Sequence, residues 1–269
     1  MPEQDHRAEI KAMDAHTKTS GCVVRCESAY KEGESHSHRW NAAEQARAEK
    51  DVYTIKEEPW RIVGWAMKKL RALAGEGGLV GAISKEGKKN VAKIKPFYRM
   101  FIPFPHNAHH IVPMGVLWND VIDKAVNKAK KAPGDMFNLV IGGFLTEPYN
   151  HNDRPNMITL PTREKESKQL GLPIHLAKKA RSHPVYSSKV ASQVSAKVPP
   201  KYDSLAKALN EKKHPPNEAT VHVKKILIDI SEATYKAIMS MARSAKTAGK
   251  TLDETADEIA KQMVANLAK

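Results

Sequence analysis

The chain has 269 residues, of which 41% are hydrophobic, so it can bury the core of one large domain or two small ones. Its formal net charge of +14 favours polyanionic partners such as nucleic acid or an acidic protein. Two cysteines are too few for a disulfide framework, and no stretch resembles a membrane span or a cleavable signal peptide. We expect a soluble protein without a membrane partner, and two free thiols rather than one small disulfide loop.

The first third of the chain divides into two segments. Residues 1–58 are polar and charged, which predicts a partly disordered N-terminal arm with one helix starting at Asn41. Residues 59–92 are predicted to be a helical segment, because apolar residues recur at helical spacing after Pro59 and the GEGG stretch at 75–78 ends that helix.

Residues 93–198 are predicted to form the central domain. Strand-like and helix-like patterns alternate there, and Pro or Gly separates several of them. In chain order we predict a β-prone basic stretch at 93–104, an amphipathic helix at 115–132 followed by Pro133–Gly134, strands at 137–144 and 156–161, a helix at 162–170, and two short helices within 171–198 interrupted near Pro184.

The last two segments are predicted from their prolines and from candidate helix N-cap residues. Prolines at both ends make 199–220 linker-like. Residues 221–230 alternate as a strand does, and Ser231 and Thr251 are candidate N-caps of two helices. We therefore expect 221–269 to be an accessory or partner-binding unit of one strand and two helices.

Three histidines occupy the segment HNAHHIVP at 106–113. Because successive strand residues point to opposite faces, His109 and His110 are not expected to be equivalent ligands of one ion. Two interpretations remain open. Either one imidazole binds a metal while its neighbour acts as a general base, or one is buried and hydrogen-bonded while the other is exposed.

Other histidines are assigned weaker roles. His36 and His38 are interpreted as residues of a solvated loop, with metal binding as the alternative. His106 is interpreted as a surface residue or a phosphate contact, and His151 as a loop residue that is solvated or approaches the site.

Residues downstream of the histidine pair extend the pattern. Ala108–His109–His110 is followed by Ile-Val-Pro, then by NMITLP at 156–161, LPIH at 172–175 and HPVY at 183–186. This order resembles the AHH nucleases of the HNH/endonuclease VII group, whose signature is Ala-His-His, two hydrophobic residues and Pro. The resemblance covers residues 104–192, about a third of the chain. It implies an α+β fold with a ββα-metal finger core embedded in a mainly helical surround.

The resemblance also implies a role for each matching residue. His109, His175 and His183 would bind one divalent metal ion, Mg2+ or Zn2+, with Mn2+ and Ni2+ as alternatives. His110 would be the general base that activates water, and Asn156 would brace the loop and orient that base. The ion would stabilise the charge on the phosphate and on the leaving 3′ oxygen.

The spacing of the last two histidines departs from the family pattern, in which three residues separate them. Here His175 and His183 are separated by the seven residues LAKKARS, which is roughly 12 Å along a continuous helix. Nitrogens bound to one ion must lie within about 4 Å of each other. Either 177–182 loops out and both histidines bind, or one of them binds, with His175 favoured, and His183 contacts the substrate phosphate.

Basic residues surround these histidines. Residues 163–213 contain twelve Lys or Arg and four Asp or Glu, and Lys178, Lys179 and Arg181 lie between the two late histidines. We expect these three to bind nucleic-acid phosphates, with a solvated basic face as the alternative.

Two functional hypotheses follow. The resemblance implies a metal-dependent endonuclease acting on DNA, or alternatively on RNA, that serves as an antibacterial effector toxin. It would be secreted without a cleavable signal peptide or remain cytoplasmic, and its partners would be a secretion-system component and an acidic immunity protein. The second hypothesis is a non-catalytic nucleic-acid-binding protein with a structural zinc. The additional His110 favours catalysis, because a structural site is closed by four protein ligands.

Overall fold

The computed structural model describes residues 21–23, 30–49, 51–53, 104–176, 180, 182–212 and 223–269. The predictions for 59–92 and for the basic stretch before Phe104 therefore lie outside the described residues, as do parts of the N-terminal arm.

The described residues are mainly helical and include one two-stranded antiparallel sheet. This mixture agrees with the predicted α+β class. The middle part of the second helix is π-helical. In chain order the elements are α1 (His38–Ala48), β1 (His106–His110), α2 (Met114–Val116, Leu117–Ile122 and Asp123–Lys128), α3 (Pro133–Thr146), a 3₁₀ turn (Arg154–Asn156), β2 (Met157–Pro161), α4 (Glu164–Leu170), α5 (Pro184–Lys197), a second 3₁₀ turn (Pro199–Tyr202), α6 (Asp203–Asn210), α7 (Lys224–Arg243) and α8 (Ala256–Leu267).

The sheet positions the histidine pair. In the antiparallel register His109 lies opposite Ile158 and His110 opposite Met157. Helix α1, capped by the Ser37 side chain, packs across both strands. The Thr159 hydroxyl donates to the carbonyl of Ala42 at 3.0 Å, so the arm helix belongs to the folded core around the sheet.

Three sequence predictions around the sheet are confirmed. The amphipathic helix lies at Met114–Lys128 and buries five of the apolar side chains expected on its inner face, namely Val116, Leu117, Val121, Ile122 and Ala125. Strand β2 and helix α4 also lie within the predicted segments.

The strand predicted at 137–144 is wrong, because these residues lie inside helix α3. Pro133 occupies the first turn, where its missing N–H costs no hydrogen bond. The buried residues Met136, Val140, Ile141 and Phe144 recur at intervals of three and four and so form one helical face. A short apolar run does not separate a strand from a buried helix by itself.

The strand predicted at 221–230 is also wrong over its described part, since α7 begins at Lys224. Leu227, Ile230, Thr234 and Ile238 are buried at helical spacing, and this face packs against α8 and against the 3₁₀ turn before β2. The burial of one face along the whole of α7 therefore outweighs the alternation of apolar and polar residues at 221–230, which favours a strand.

The stretch interpreted as linker-like, 199–220, is helical over its described part. Tyr202, Leu205 and Leu209 are buried against α2, α3 and α5. Among the described residues of 171–198 there is one helix, α5, where two were predicted. Residues 171–176 are irregular, because Gly171 takes a left-handed backbone conformation (φ 72°) that ends α4.

Candidate metal centre

Strand β1 points the His109 ring toward the segment that follows β2. His109 is 4% exposed. Its Nδ1 lies 3.2 Å from Nε2 of His175, and its ring centroid lies 4.5 Å from that of His183. The three rings are mutually edge-on rather than stacked.

His175 is held at the end of the sheet by the backbone. Its amide donates to the carbonyl of Pro161, the last residue of β2, at 2.8 Å. The amide of the preceding Ile174 donates to the carbonyl of Lys250 at 2.7 Å. On the ring, Nδ1 lies 3.2 Å from the side-chain amide of Asn107, which leaves Nε2 directed at His109.

His183 is the residue that precedes helix α5. Pro184 starts the helix, and the His183 Nδ1 lies 3.1 Å from the hydroxyl of Ser187 one turn later. Burial lowers the pKa of His183, an effect that its own backbone and Asp253 partly oppose. This shift favours the neutral ring, which is the form that binds a metal.

The ligand nitrogens of His109, His175 and His183 all lie within 4.8 Å of one another, so this group could hold a metal ion. A separation of roughly 12 Å between His175 and His183 applies only to a continuous helix. The chain instead leaves α4 at Leu170 and enters α5 at Pro184, which brings His175 and His183 to a ring separation of 5.6 Å. The geometry therefore allows His175 and His183 to bind one ion together with His109.

The predicted phosphate contacts Lys178, Lys179 and Arg181 lie outside the described residues.

His110 lies on the opposite face of β1 from His109. Its ring is stacked between those of His38 and His151, at centroid distances of 5.6 and 4.6 Å. Its Nε2 lies 3.1 Å from Oδ1 of Asn152. His110 is 5% exposed, and the structure therefore places it in a second histidine cluster that is separate from the three ligand candidates.

Asn156 is a buried hydrogen-bonding hub beside this second cluster. Its Oδ1 accepts from the amide of Val112 at 2.7 Å and from the hydroxyl of Ser231 at 2.9 Å. Its Nδ2 donates to the carbonyl of His151 at 2.9 Å. These bonds brace the chain just after His110, whereas the side-chain contact to the His110 ring comes from Asn152.

The structure corrects the assignments of three lesser histidines. His36 and His38 are buried rather than solvated. His151 is buried and stacked on His110, which corresponds to the alternative in which its loop approaches the site, and His38 stacks on the same ring. His106 is also buried, and its Nδ1 lies 2.7 Å from the carbonyl of Phe104, so it is neither a surface residue nor a phosphate contact. Burial lowers the pKa of His106 to about 4.

Several residues of the site had no clear signal in the sequence. Asn107, Asn152 and Ser231 each supply one side-chain contact to a histidine or to Asn156, and single polar residues of this kind are common in any chain. Tyr186 is the exception. It ends the HPVY motif, and its hydroxyl donates to the carbonyl of Ile111 at 2.7 Å.

Comparisons of the chain with protein-family models, curated proteins and solved structures find no match. The resemblance to the AHH nucleases rests on the motif residues quoted above. Among the described residues, no helix combines the length and the apolar character that crossing a membrane requires.

Proposed function

We propose that this chain is a metal-dependent endonuclease that hydrolyses phosphodiester bonds of nucleic acid, with DNA as the favoured substrate. The observation that carries the proposal is the convergence of His109, His175 and His183 into one potential ligand group. The motif around His109 and the net charge of +14 support the same proposal. In it, β1, β2 and α5 are the ββα-metal finger, with α4 inserted before α5.

The donor set bears on which metal is used. Three imidazoles suit Zn2+ or Ni2+ better than Mg2+, which prefers oxygen ligands. A divalent ion held there would supply Lewis-acid stabilisation of the charge on the phosphate and the leaving oxygen. His175 and His183 are half-buried, so a substrate phosphate has access to this side of the centre.

His110 is the residue that we propose as the general base. The Asn152 amide is oriented by the donation from Nδ2 to the Cys22 thiol at 3.6 Å, so that Oδ1 accepts from Nε2 of His110. The neutral His110 ring then has its lone pair on Nδ1, the nitrogen that would take a proton from water. Stacking between His38 and His151 restricts the orientation of the ring.

The alternative proposal is a non-catalytic nucleic-acid-binding protein with a structural zinc. A structural zinc site is as a rule closed by four protein ligands. Among the described residues the candidate group has three members, one fewer than such a site needs. The ligand number therefore favours the catalytic proposal.

The biological role is proposed from the motif resemblance alone. It is that of an antibacterial effector that is secreted without a cleavable signal peptide, engages a secretion-system component and acts in the target cell. A basic nuclease of this kind would be neutralised by an acidic immunity protein, because complementary charge accelerates association.

The test is incubation of the purified protein with plasmid DNA and with RNA in EDTA, and then with Mg2+, Mn2+, Ni2+ or Zn2+ added. We expect cleavage that requires metal and that His109→Ala abolishes together with metal binding. Lys165→Ala, an exposed charge removal, is the control and should cleave as the wild type does. If no metal supports cleavage although the protein binds zinc, the structural-zinc proposal is the correct one.

A further inference from the structure

The connection between α7 and α8, residues 244–255, contacts both chain segments that carry the late candidate ligands. At the first of them it bonds to both backbone groups of Ile174. The amide of Ile174 donates to the carbonyl of Lys250 at 2.7 Å, and its carbonyl accepts from the amide of Leu252 at 2.9 Å. Ile174 directly precedes His175, so the connection fixes the backbone at this candidate ligand.

The next residue of the connection, Asp253, contacts the helix that follows the other late ligand. Its Oδ1 accepts from the amide of Tyr186, in the first turn of α5, at 2.9 Å. Amides of a first helical turn have no carbonyl partner within the helix, and the side chain of the N-cap residue is their usual acceptor. Here the acceptor is a carboxylate 67 positions away in sequence, and the helix dipole favours a negative charge at this end.

His183 is the N-cap residue of α5, yet its side chain does not cap the helix. Its carbonyl accepts from the amide of Ser187 at 3.0 Å, as an N-cap carbonyl does, whereas its ring makes no capping hydrogen bond to the described amides of the first turn. The ring lies among the candidate ligands instead, with a nitrogen within 4.8 Å of those of His109 and His175. Because Asp253 accepts from the amide of Tyr186, the ring can take this position without leaving that amide unsatisfied.

We infer that Asp253 is a positioning residue of the candidate metal centre, which caps α5 in place of the His183 side chain and so holds that imidazole as a ligand. The inference rests on the metal centre that the proposed function requires, and it adds a role for the C-terminal part of the chain. Leu252 and Asp253 are adjacent, so one short piece of the connection anchors the backbone beside His175 and beside His183.

The test is the zinc affinity of Asp253 variants, measured in competition with a chelator of known affinity. Asp253→Ala should raise the Kd for zinc by about tenfold or more, the usual effect of losing a residue that orients a metal ligand. Asp253→Asn keeps the oxygen that accepts from the amide of Tyr186 and should bind zinc within about threefold of the wild type. Asp257→Asn is the matched control. It removes the same charge four residues later, where the carboxylate pairs with Lys189 of α5, and should change the Kd less than about twofold.

A His183→Ala background separates positioning from a general effect on the fold. There Asp253→Ala should change the Kd less than about twofold, because the ring on which it acts is absent. An equal loss in both backgrounds would overturn the inference, as would an Asp253→Ala protein with wild-type affinity or an Asp253→Asn protein as weak as Asp253→Ala. Zinc affinity is measured without cleavage, so a wild type that binds zinc but cuts no nucleic acid would contradict the nuclease proposal and leave this inference standing.

Discussion

The hydroxyl of Tyr186 donates a hydrogen bond to the backbone carbonyl of Ile111 at 2.7 Å. It connects helix α5, which His183 precedes, to the residue that follows His109 and His110 in the chain. Burial raises the pKa of Tyr186, so the hydroxyl remains a protonated donor. One buried contact thus holds two of the candidate metal ligands in register although 74 residues separate them in sequence.

Tyr186→Phe is expected to lower the free energy of unfolding by about 0.5–1.5 kcal/mol, with the loss of one hydrogen bond and an unsatisfied carbonyl. It should also weaken metal binding, because α5 is then free to shift His183. Urea denaturation and a zinc titration measure the two effects. The control is Tyr30→Phe, whose hydroxyl contacts Arg47 instead. Unchanged zinc affinity in Tyr186→Phe would show that this contact does not position His183.

His110→Ala should keep metal binding and lose cleavage by roughly 10²–10⁴-fold, the usual contribution of a general base. Metal binding is retained because His110 lies on the opposite face of β1 from the ligand group. Cleavage is lost if His110 is the general base that the motif resemblance implies. Parallel measurement of metal content and of plasmid cleavage checks both parts. A His110→Ala protein that cleaves at the wild-type rate would remove this residue from the catalytic role.

Asn107→Ala should reduce metal affinity about tenfold, because Asn107 lies 3.2 Å from Nδ1 of His175 and fixes which ring nitrogen faces His109. Competition with a chelator of known affinity gives the value. Asn138→Ala on the exposed face of α3 is the matched control and should leave affinity unchanged. Equal affinity in both variants would mean that the backbone alone orients His175.

Asn156→Ala should destabilise the fold by about 2–4 kcal/mol, because it removes a buried hub and leaves the amide of Val112 and the carbonyl of His151 without their side-chain partner. Ser231→Ala should cost about 1 kcal/mol, and the exposed Ser192→Ala close to none. In a double-mutant cycle the effects of Asn156→Ala and Ser231→Ala should be non-additive. Additive losses would show that α7 does not act through Asn156.

The burial of His106 predicts that the free energy of unfolding depends on pH. Its folded-state pKa is about 4, below the ordinary value of 6.5, because burial disfavours the charged ring. Above pH 6.5 the His106 ring is neutral in both the folded and the unfolded protein. As the pH falls from 6.5 to 4 the unfolded chain binds the proton first, so stability decreases by up to about 3 kcal/mol.

Urea denaturation at pH 7 and pH 4.5 measures this loss, and His106→Gln should reduce it while retaining an N–H donor for the carbonyl of Phe104. The same pH dependence in wild type and variant would assign the loss to other groups.

The local sequence pattern determined several secondary-structure elements and the orientation of the histidine pair. The apolar spacing of α2 and the closing Pro161 of β2 specify those elements directly, since each buries one continuous face or ends at a residue that cannot continue it. Strand alternation also separated His109 from His110, because that period follows from backbone geometry alone. The candidate ligands His109, His175 and His183 could be named through the resemblance of their motifs to the AHH nucleases.

Tertiary structure decided which of these residues meet. The short apolar runs at 137–144 and 221–230 fit either a strand or a helix, and burial against neighbouring helices selected the helix. The meeting of His175 with His183 depends on the bonds from His175 to Pro161 and from Tyr186 to Ile111. Such bonds join residues far apart in sequence, and local periodicity contains no information about them.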